Sequence, residues 1–126
     1  MSRRKTVLIE SPYKGDVQKN TMYARACLLD SLRRGEAPFA SHLLYTQVID
    51  DADPYYRNMG IEAGLTIGKD MKLTAVYDDL GITSGMLLGI GRAEEERRPV
   101  EFRHLGEDWE QKFIDTLPST LKRRTP

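Results

Sequence analysis

Polar residues follow three apolar runs of the sequence, and their types suit the recognition of a nucleotide. Carboxylates suit ribose hydroxyls, tyrosine rings stack on bases, and the first turn of a helix attracts a phosphate or another anion. These residues are Glu10, Ser11, Pro12 and Tyr13 after the first run, His42 and Tyr45 at the second, and Asp79, Thr83, Ser84, Gly85 and Met86 after the third. Their types predict a pocket for a nucleoside or nucleotide.

Each candidate also has a purely structural interpretation. His42 suits a hydrogen-bonded position at a strand edge, and Asp79, close to Gly81, suits a turn. Ser84 is an adequate helix cap without any ligand, and Tyr13 and Tyr45 suit surface packing. Residue types alone therefore leave both interpretations open.

Several kinds of site have no support in the sequence. Asp50, Asp51 and Asp53 lie close together, but Asp53 before a proline is better used as a helix cap, so we expect no metal. No Walker loop, dinucleotide fingerprint after the first strand, nucleophile elbow or paired-cysteine pattern is present, and we expect no cofactor. The single cysteine, Cys27, is expected to pack in the core.

Strands and helices alternate along the chain. The predicted strands are 5–9, 37–44, 72–77 and 100–104, and the predicted helices are 16–35, 54–69, 84–98 and 107–117. This order predicts a single-domain α/β fold of the flavodoxin or Rossmann-like type, with a mainly parallel sheet of about four or five strands and helices on both faces. The domain is predicted to cover 1–117, followed by a tail over 118–126. In such sheets, ligands bind beyond the carboxyl ends of the strands, where the candidate residues lie.

The overall composition excludes other classes of function. The 126 residues carry 19 basic and 19 acidic side chains, and this balance argues against a nucleic-acid polymer as partner. No apolar run approaches the roughly 18 residues of a membrane span, and the first residues do not form a signal peptide. We therefore expect a cytoplasmic protein, in the host cytoplasm if the source is viral, with no membrane partner.

Six of the ten glycines lie inside predicted helices, namely Gly60, Gly64, Gly68, Gly85, Gly89 and Gly91. Each costs about 1 kcal/mol relative to alanine, so a compensating close approach is expected. The predicted approach is tight packing of helix faces, within the chain or across a homodimer or higher homo-oligomer, and direct contact with a flat ligand is the alternative.

Short motifs resemble the nucleoside 2-deoxyribosyltransferase superfamily, and most closely its short, largely uncharacterised phage and bacterial members. The motifs are SPY at 11–13, Asn20 with the YA pair at 23–24, HLL from His42 and SGM at 84–86. The resemblance implies a flavodoxin-like fold, a nucleoside or nucleotide pocket, and oligomers whose subunits complete each other's sites. It also implies a nucleophilic glutamate in the helix after the third strand and an aspartate that assists the leaving base.

One departure from that pattern decides between binding and catalysis. Gly89 occupies the place where the resemblance implies the glutamate, while Asp79 matches the aspartate and Glu10 is the best substitute carboxylate. The ligand-binding candidates are then Ser11, Pro12, Tyr13, Asn20, His42, Tyr45, Asp79, Thr83, Ser84, Gly85, Met86 and Gly89, with Glu10 and Asp79 catalytic if the protein is an enzyme.

The resulting hypothesis is a protein that binds a nucleotide or ADP-ribose-type molecule without turnover. Similar small phage proteins suggest the sequestration of a nucleotide messenger of host immunity. The alternatives are an N-glycosidase or deoxyribosyltransferase, and a purely structural or protein-binding module.

Overall fold

The computed structural model describes residues 3–122, which form a four-stranded sheet flanked by helices. The elements are β1 (Thr6–Glu10), α1 (Val17–Arg33), β2 (Ala37–Phe39), α2 (Ser41–Leu44), a 3-10 helix (Tyr45–Gln47), α3 (Pro54–Gly68), β3 (Leu73–Tyr77), α4 (Ser84–Glu95), β4 (Val100–Arg103), α5 (Trp109–Thr116) and α6 (Ser119–Lys122). In this described part of the chain, no helix is long and apolar enough to cross a membrane.

The sheet is parallel throughout, with the strand order β2-β1-β3-β4. The chain therefore adds β2 on one side of β1, and then adds β3 and β4 on the other side. This reversal creates a crevice beyond the carboxyl ends of β1 and β3. The α/β class and the parallel sheet expected from the sequence are confirmed.

The two faces of the sheet carry different residues because side chains alternate along a strand. Val7 and Ile9 of β1 belong to the main apolar cluster, with Tyr23 of α1 and Trp109 and Phe113 of α5. The other face of β1 meets α3 and α4, where Leu8 lies against Gly68 and Glu10 lies against Gly89. Glu10 therefore points away from the α1 side of the core.

Local capping explains where three helices begin. The Asp16 carboxylate accepts from Lys19 N at 3.2 Å, Asp53 accepts from Tyr55 N at 2.9 Å, and the Thr83 hydroxyl accepts from Met86 N at 3.2 Å. Each bond satisfies an amide of a first helical turn. These caps confirm the helix starts expected from the sequence.

The second predicted strand was too long. β2 ends at Phe39, and residues 41–44 form α2. β2 is an edge strand paired only with β1, so little holds the chain extended beyond it. Because Gly64 has no side chain, Ser41 packs directly on α3, where an added Cβ would lie 2.8 Å from Ser41 Cβ. His42 consequently lies on a short helix and not in a strand.

Other boundaries moved by smaller amounts. α4 ends at Glu95, and Arg97 then adopts a left-handed backbone conformation with φ 56° that stops the helix before the predicted end at 98. Residues 119–122 of the predicted tail form α6, and residues 123–126 lie outside the described part of the chain.

The glycines of α3 bring this helix close to its neighbours. A Cβ at Gly60 would lie 2.9 Å from Ile49 Cδ1, and one at Gly68 would lie 2.7 Å from Leu8 Cδ2. The glycines of α3 therefore pack on other elements of the same chain, while a Cβ at Gly91 would meet nothing within 4 Å. The structure accounts for the α3 glycines without a dimer.

Candidate functional site

A cavity of about 370 Å³ lies at the carboxyl ends of β1 and β3. Its walls come from the end of β1, the β1–α1 loop, α2, α3 and the first half of α4. This is the crevice that the strand order creates, and its volume is in the range of small-molecule sites.

Most of the candidates named from the sequence line this cavity. The ones on the wall are Glu10, Ser11, Tyr13, His42, Thr83, Ser84, Gly85, Met86 and Gly89. Four others, Pro12, Asn20, Tyr45 and Asp79, are not on the wall. Their direct contact with a ligand has no geometric support, and their observed contacts suggest other roles.

Asn20 supports the loop that carries Tyr13. Its Nδ2 donates to the carbonyl oxygens of Tyr13 at 3.0 Å and Lys14 at 3.2 Å. Asn20 is buried, and so is Pro12 in the same loop. The Cβ of Tyr45 faces Gly60 of α3. These residues stand behind the cavity wall.

Asp79 is saturated by contacts inside the chain. It accepts from the Tyr23 hydroxyl at 2.5 Å and from the backbone amides of Leu105 and Gly106 at 2.9 Å each. Burial works against its ionisation, but these hydrogen bonds outweigh it and hold the pKa of Asp79 below its usual range. Asp79 therefore remains charged and ties α1 to the loop after β4.

Glu10 occupies the space that Gly89 leaves open on α4. A Cβ at Gly89 would collide with Glu10 Oε2 and Cδ. The carboxyl group of β1 thus occupies the space that a side chain at position 89 of α4 would need, which is where the resemblance implies a glutamate. Within residues 3–122 this carboxyl group has no hydrogen-bond or salt-bridge partner. Burial raises its pKa to about 8, although the charge of Arg98 partly opposes the shift.

Next to Glu10, Ser11 and His42 form a hydrogen-bonded pair. Ser11 Oγ lies 2.7 Å from His42 Nε2, and the Tyr13 ring meets the imidazole edge-on, with ring centres 6.4 Å apart. Burial lowers the pKa of His42 to about 4, so the imidazole is neutral at pH 7. This wall therefore presents hydroxyl, imidazole and aromatic groups without a formal charge.

Two cations at the cavity were missed by reasoning from the sequence. Lys14 and Arg57 line the wall, and Arg57 Nε lies 3.7 Å from Asp51 Oδ2. Arg57 also approaches α4, where its Nη2 would lie 3.8 Å from a Cβ at Gly85. Arg57 lies in the first turn of α3, where the helix dipole disfavours a cation. This unfavourable placement was the signal in the sequence that pointed to a binding role for Arg57.

A second group of potential metal ligands, besides Asp50, Asp51 and Asp53, is explained by protein contacts. Donor atoms of Asp78, Asp79 and His104 lie within 4.8 Å of one another. Asp79 already accepts from the donors described above, and Asp78 Oδ1 lies 2.8 Å from Nδ1 of the largely exposed His104. Cys27 is buried, and burial raises the pKa of its thiol, which makes it a poor nucleophile.

The family model described as a domain of unknown function, DUF7768, matches residues 5–103. The chain belongs to this family. The match covers β1 to β4 of this DUF7768 protein, and therefore all residues that line the cavity.

The fold is that of nucleoside 2-deoxyribosyltransferases. This DUF7768 chain is similar to a solved 2-deoxyribosyltransferase from the psychrotolerant bacterium Bacillus psychrosaccharolyticus, with a TM-score of 0.59 and 14% sequence identity over 95% of this chain and 81% of that chain. No curated protein matches the sequence. At this identity the similarity concerns the fold.

Proposed function

We propose that this DUF7768 protein binds a nucleotide-type small molecule in the strand-end cavity and holds it without turnover. The single observation that carries the proposal is the presence in one cavity of two cations, Lys14 and Arg57, together with the uncharged hydrogen-bonded pair of Ser11 and His42. A nucleotide has the two complementary features, an anionic phosphate at one end and a polar, stackable base at the other.

The position of Arg57 supports the binding of the anionic end of the ligand. Its guanidinium group lies beside the first turn of α4, whose amides carry partial positive charge. Asp51 pairs with Arg57 only at 3.7 Å, so the guanidinium group keeps hydrogen-bond donors for an anion beside this helix end. Lys14 of the β1–α1 loop also lines the cavity and adds a second formal positive charge.

The shape and polarity of the cavity support the binding of the base and ribose of the ligand. Tyr13 and His42 present ring surfaces and edges, and Leu8, Ile61 and Leu65 supply apolar area in the same cavity. Planar bases and ribose rings suit such a mixture, because apolar surface gives affinity and a few polar groups give orientation. A nucleoside monophosphate or an ADP-ribose-type molecule combines both ends.

The absence of a side chain at Gly89 supports binding without turnover. If the superfamily nucleophile belongs on α4, this chain has no side chain there, and the carboxyl group that fills the space is protonated at pH 7. A protonated carboxyl group is a poor nucleophile. Retention of an intact nucleotide is also what the sequestration of an immune messenger would require, which is the role suggested by the resemblance to phage proteins.

The test begins with the ligand that the protein carries from its host. Purified protein is denatured, and the released small molecules are identified by mass spectrometry. In parallel, the four deoxynucleoside monophosphates, AMP and ADP-ribose are tested for a rise in Tm. A ligand at 100 times its Kd stabilises the native state by about 2.7 kcal/mol. Recovery of intact nucleotide after incubation supports the proposal, and no shift with any of these compounds rejects it.

Arg57→Gln offers a matched test of the anionic end. We expect it to weaken nucleotide monophosphate binding at least tenfold, because a charge-assisted contact contributes about 1.5–3 kcal/mol. Arg25→Gln is the control, since Arg25 is an exposed arginine on α1, across the sheet from the cavity. The corresponding nucleoside should lose little affinity in either variant. Equal losses in Arg57→Gln and Arg25→Gln would contradict the assignment.

A second candidate function is N-glycosidic bond cleavage or deoxyribosyl transfer, and the specific observation in its favour is the carboxyl group of Glu10 in front of α4. Glu10 would then act as nucleophile once ionised, so turnover should rise toward and above pH 8. Release of free base from a deoxynucleotide at pH 8.5, abolished by Glu10→Gln, would establish this function. Intact nucleotide after long incubation would exclude it for the compounds tested.

A further inference from the structure

We propose that Glu10 is the specificity-determining residue of the cavity and that it acts as a hydrogen-bond donor, selecting ligands that place an uncharged lone-pair acceptor against α4. Such an acceptor is a ring nitrogen or carbonyl oxygen of a base. This inference rests on the proposed nucleotide-binding function and adds to it the chemistry of the ligand at its inner end.

The geometry keeps Glu10 available for a ligand. Its carboxyl group lies in the notch at Gly89, which confines it between β1 and α4. In the part of the chain that the structure describes, no donor is hydrogen-bonded to it and no cation forms a salt bridge with it, yet it lines the cavity. A half-buried polar group without a partner costs free energy, and a ligand that pairs with it recovers that cost.

Burial favours the protonated form of Glu10, whereas nearby cations oppose it. Ser11 and His42, which line the same cavity, are engaged with each other at 2.7 Å. The cations Lys14 and Arg57 and the acid Asp51 line the same cavity, and Arg57 is paired with Asp51.

On the same face of the sheet as Glu10, Arg98 donates to Thr74 and Glu96, and its Nη2 has no hydrogen-bond partner within residues 3–122. Its charge lowers the pKa of Glu10 only in part, and burial has the larger effect, so the pKa remains raised to about 8. At neutral pH the carboxyl group therefore carries a proton that it can donate.

The two ends of the cavity then select different chemistry. The cations Lys14 and Arg57 prefer an anion, whereas the protonated carboxyl group of Glu10 at the inner end prefers a neutral acceptor. An anion at the inner end would lose its hydration, so a neutral acceptor is favoured there. A ligand donor can pair with the carbonyl oxygen of the carboxyl group, but only an acceptor uses its O–H group. This arrangement orients a nucleotide with its phosphate outward and its base or sugar edge toward Gly89.

The experiment is a calorimetric titration with dAMP and dCMP between pH 7 and pH 9.5. These bases do not ionise in that interval, and the phosphate is already in its dianionic form. If the ionised form of Glu10 does not bind, affinity falls about 30-fold between pH 7 and pH 9.5, since each pH unit above the pKa of about 8 costs a factor of about ten.

Glu10→Gln is the decisive variant. Glutamine keeps the shape and a donor but cannot ionise, so it should bind at pH 7 and lose the pH dependence. Lys14→Gln, which removes a cation from the same cavity, should bind more weakly but keep the slope.

Persistence of the wild-type slope in Glu10→Gln, or a flat wild-type profile, overturns the inference while leaving nucleotide binding intact. The absence of binding at every pH instead rejects the proposed function on which it rests.

Discussion

Two carboxyl groups stand near the ends of neighbouring strands, and their surroundings are opposite. Asp79, after β3, accepts hydrogen bonds from Tyr23 and two backbone amides, and its pKa is held low. Glu10, at the end of β1, has no such partner within residues 3–122 and faces the cavity, and burial raises its pKa to about 8. The position of a carboxyl group at a strand end therefore does not decide its role. The hydrogen-bond donors around the carboxyl group decide its role.

The largest expected effect comes from removing Asp79. Asp79→Ala should lower the free energy of unfolding by about 3 kcal/mol, because the Tyr23 hydroxyl and the amides of Leu105 and Gly106 lose their shared acceptor. Urea denaturation at pH 7 measures the change. Asp115→Ala, at an exposed position of α5, is the control and should change stability by less than about 0.5 kcal/mol. A loss below about 1 kcal/mol in Asp79→Ala would place Asp79 outside the structural network.

The next effect concerns Glu10 and has the opposite sign. The raised pKa means that the native state keeps a proton that the unfolded chain releases, so Glu10 costs stability progressively from about pH 4.5 to about pH 8. Glu10→Gln should therefore gain about 2 kcal/mol relative to wild type between pH 6.5 and pH 8, and nothing further above that.

Denaturation curves for both proteins at pH 6.5, 8 and 9 measure this difference. The interval lies above the range in which His42, with its lowered pKa, loses native stability as the pH falls. A constant difference between Glu10→Gln and wild type across the three pH values would show that Glu10 is ionised throughout and resembles Asp79.

The smallest effect tests the notch that holds Glu10. Gly91→Ala should stabilise α4 by up to about 1 kcal/mol, because its Cβ meets nothing within 4 Å. Gly89→Ala has the same helix benefit, but its Cβ must push the carboxyl group of Glu10 aside. We expect Gly89→Ala to be near neutral in stability and to flatten the pH dependence attributed to Glu10. If Gly89→Ala and Gly91→Ala behave alike in thermal and pH profiles, Glu10 does not occupy the notch.

Much of the fold was predictable because its signals are local. Asp16, Asp53 and Thr83 cap helices through amides two or three residues away, so sequence neighbours suffice to place those starts. The end of β2 was not predictable in this way. It depends on how Ser41 packs against Gly64 of α3, a contact between residues far apart in the chain.

The candidate site was predicted in part for the same reason. Residues that follow the strands directly, such as Ser11 and Ser84, lie on the cavity wall because parallel strands end at one edge. Arg57 follows no strand, and it reaches the cavity only because α3 packs beside α4. Asp79 follows a strand but is directed to the loop after β4.

The sequence by itself determined the alternation of strands and helices, the edge of the sheet at which polar residues gather, and the glycine that stands where a nucleophile was expected. Only the tertiary structure decided which carboxyl group is charged and which is protonated. The physical reason is that a pKa depends on burial and on donors brought from distant parts of the chain, and neither is encoded in the residues next to Glu10 or Asp79.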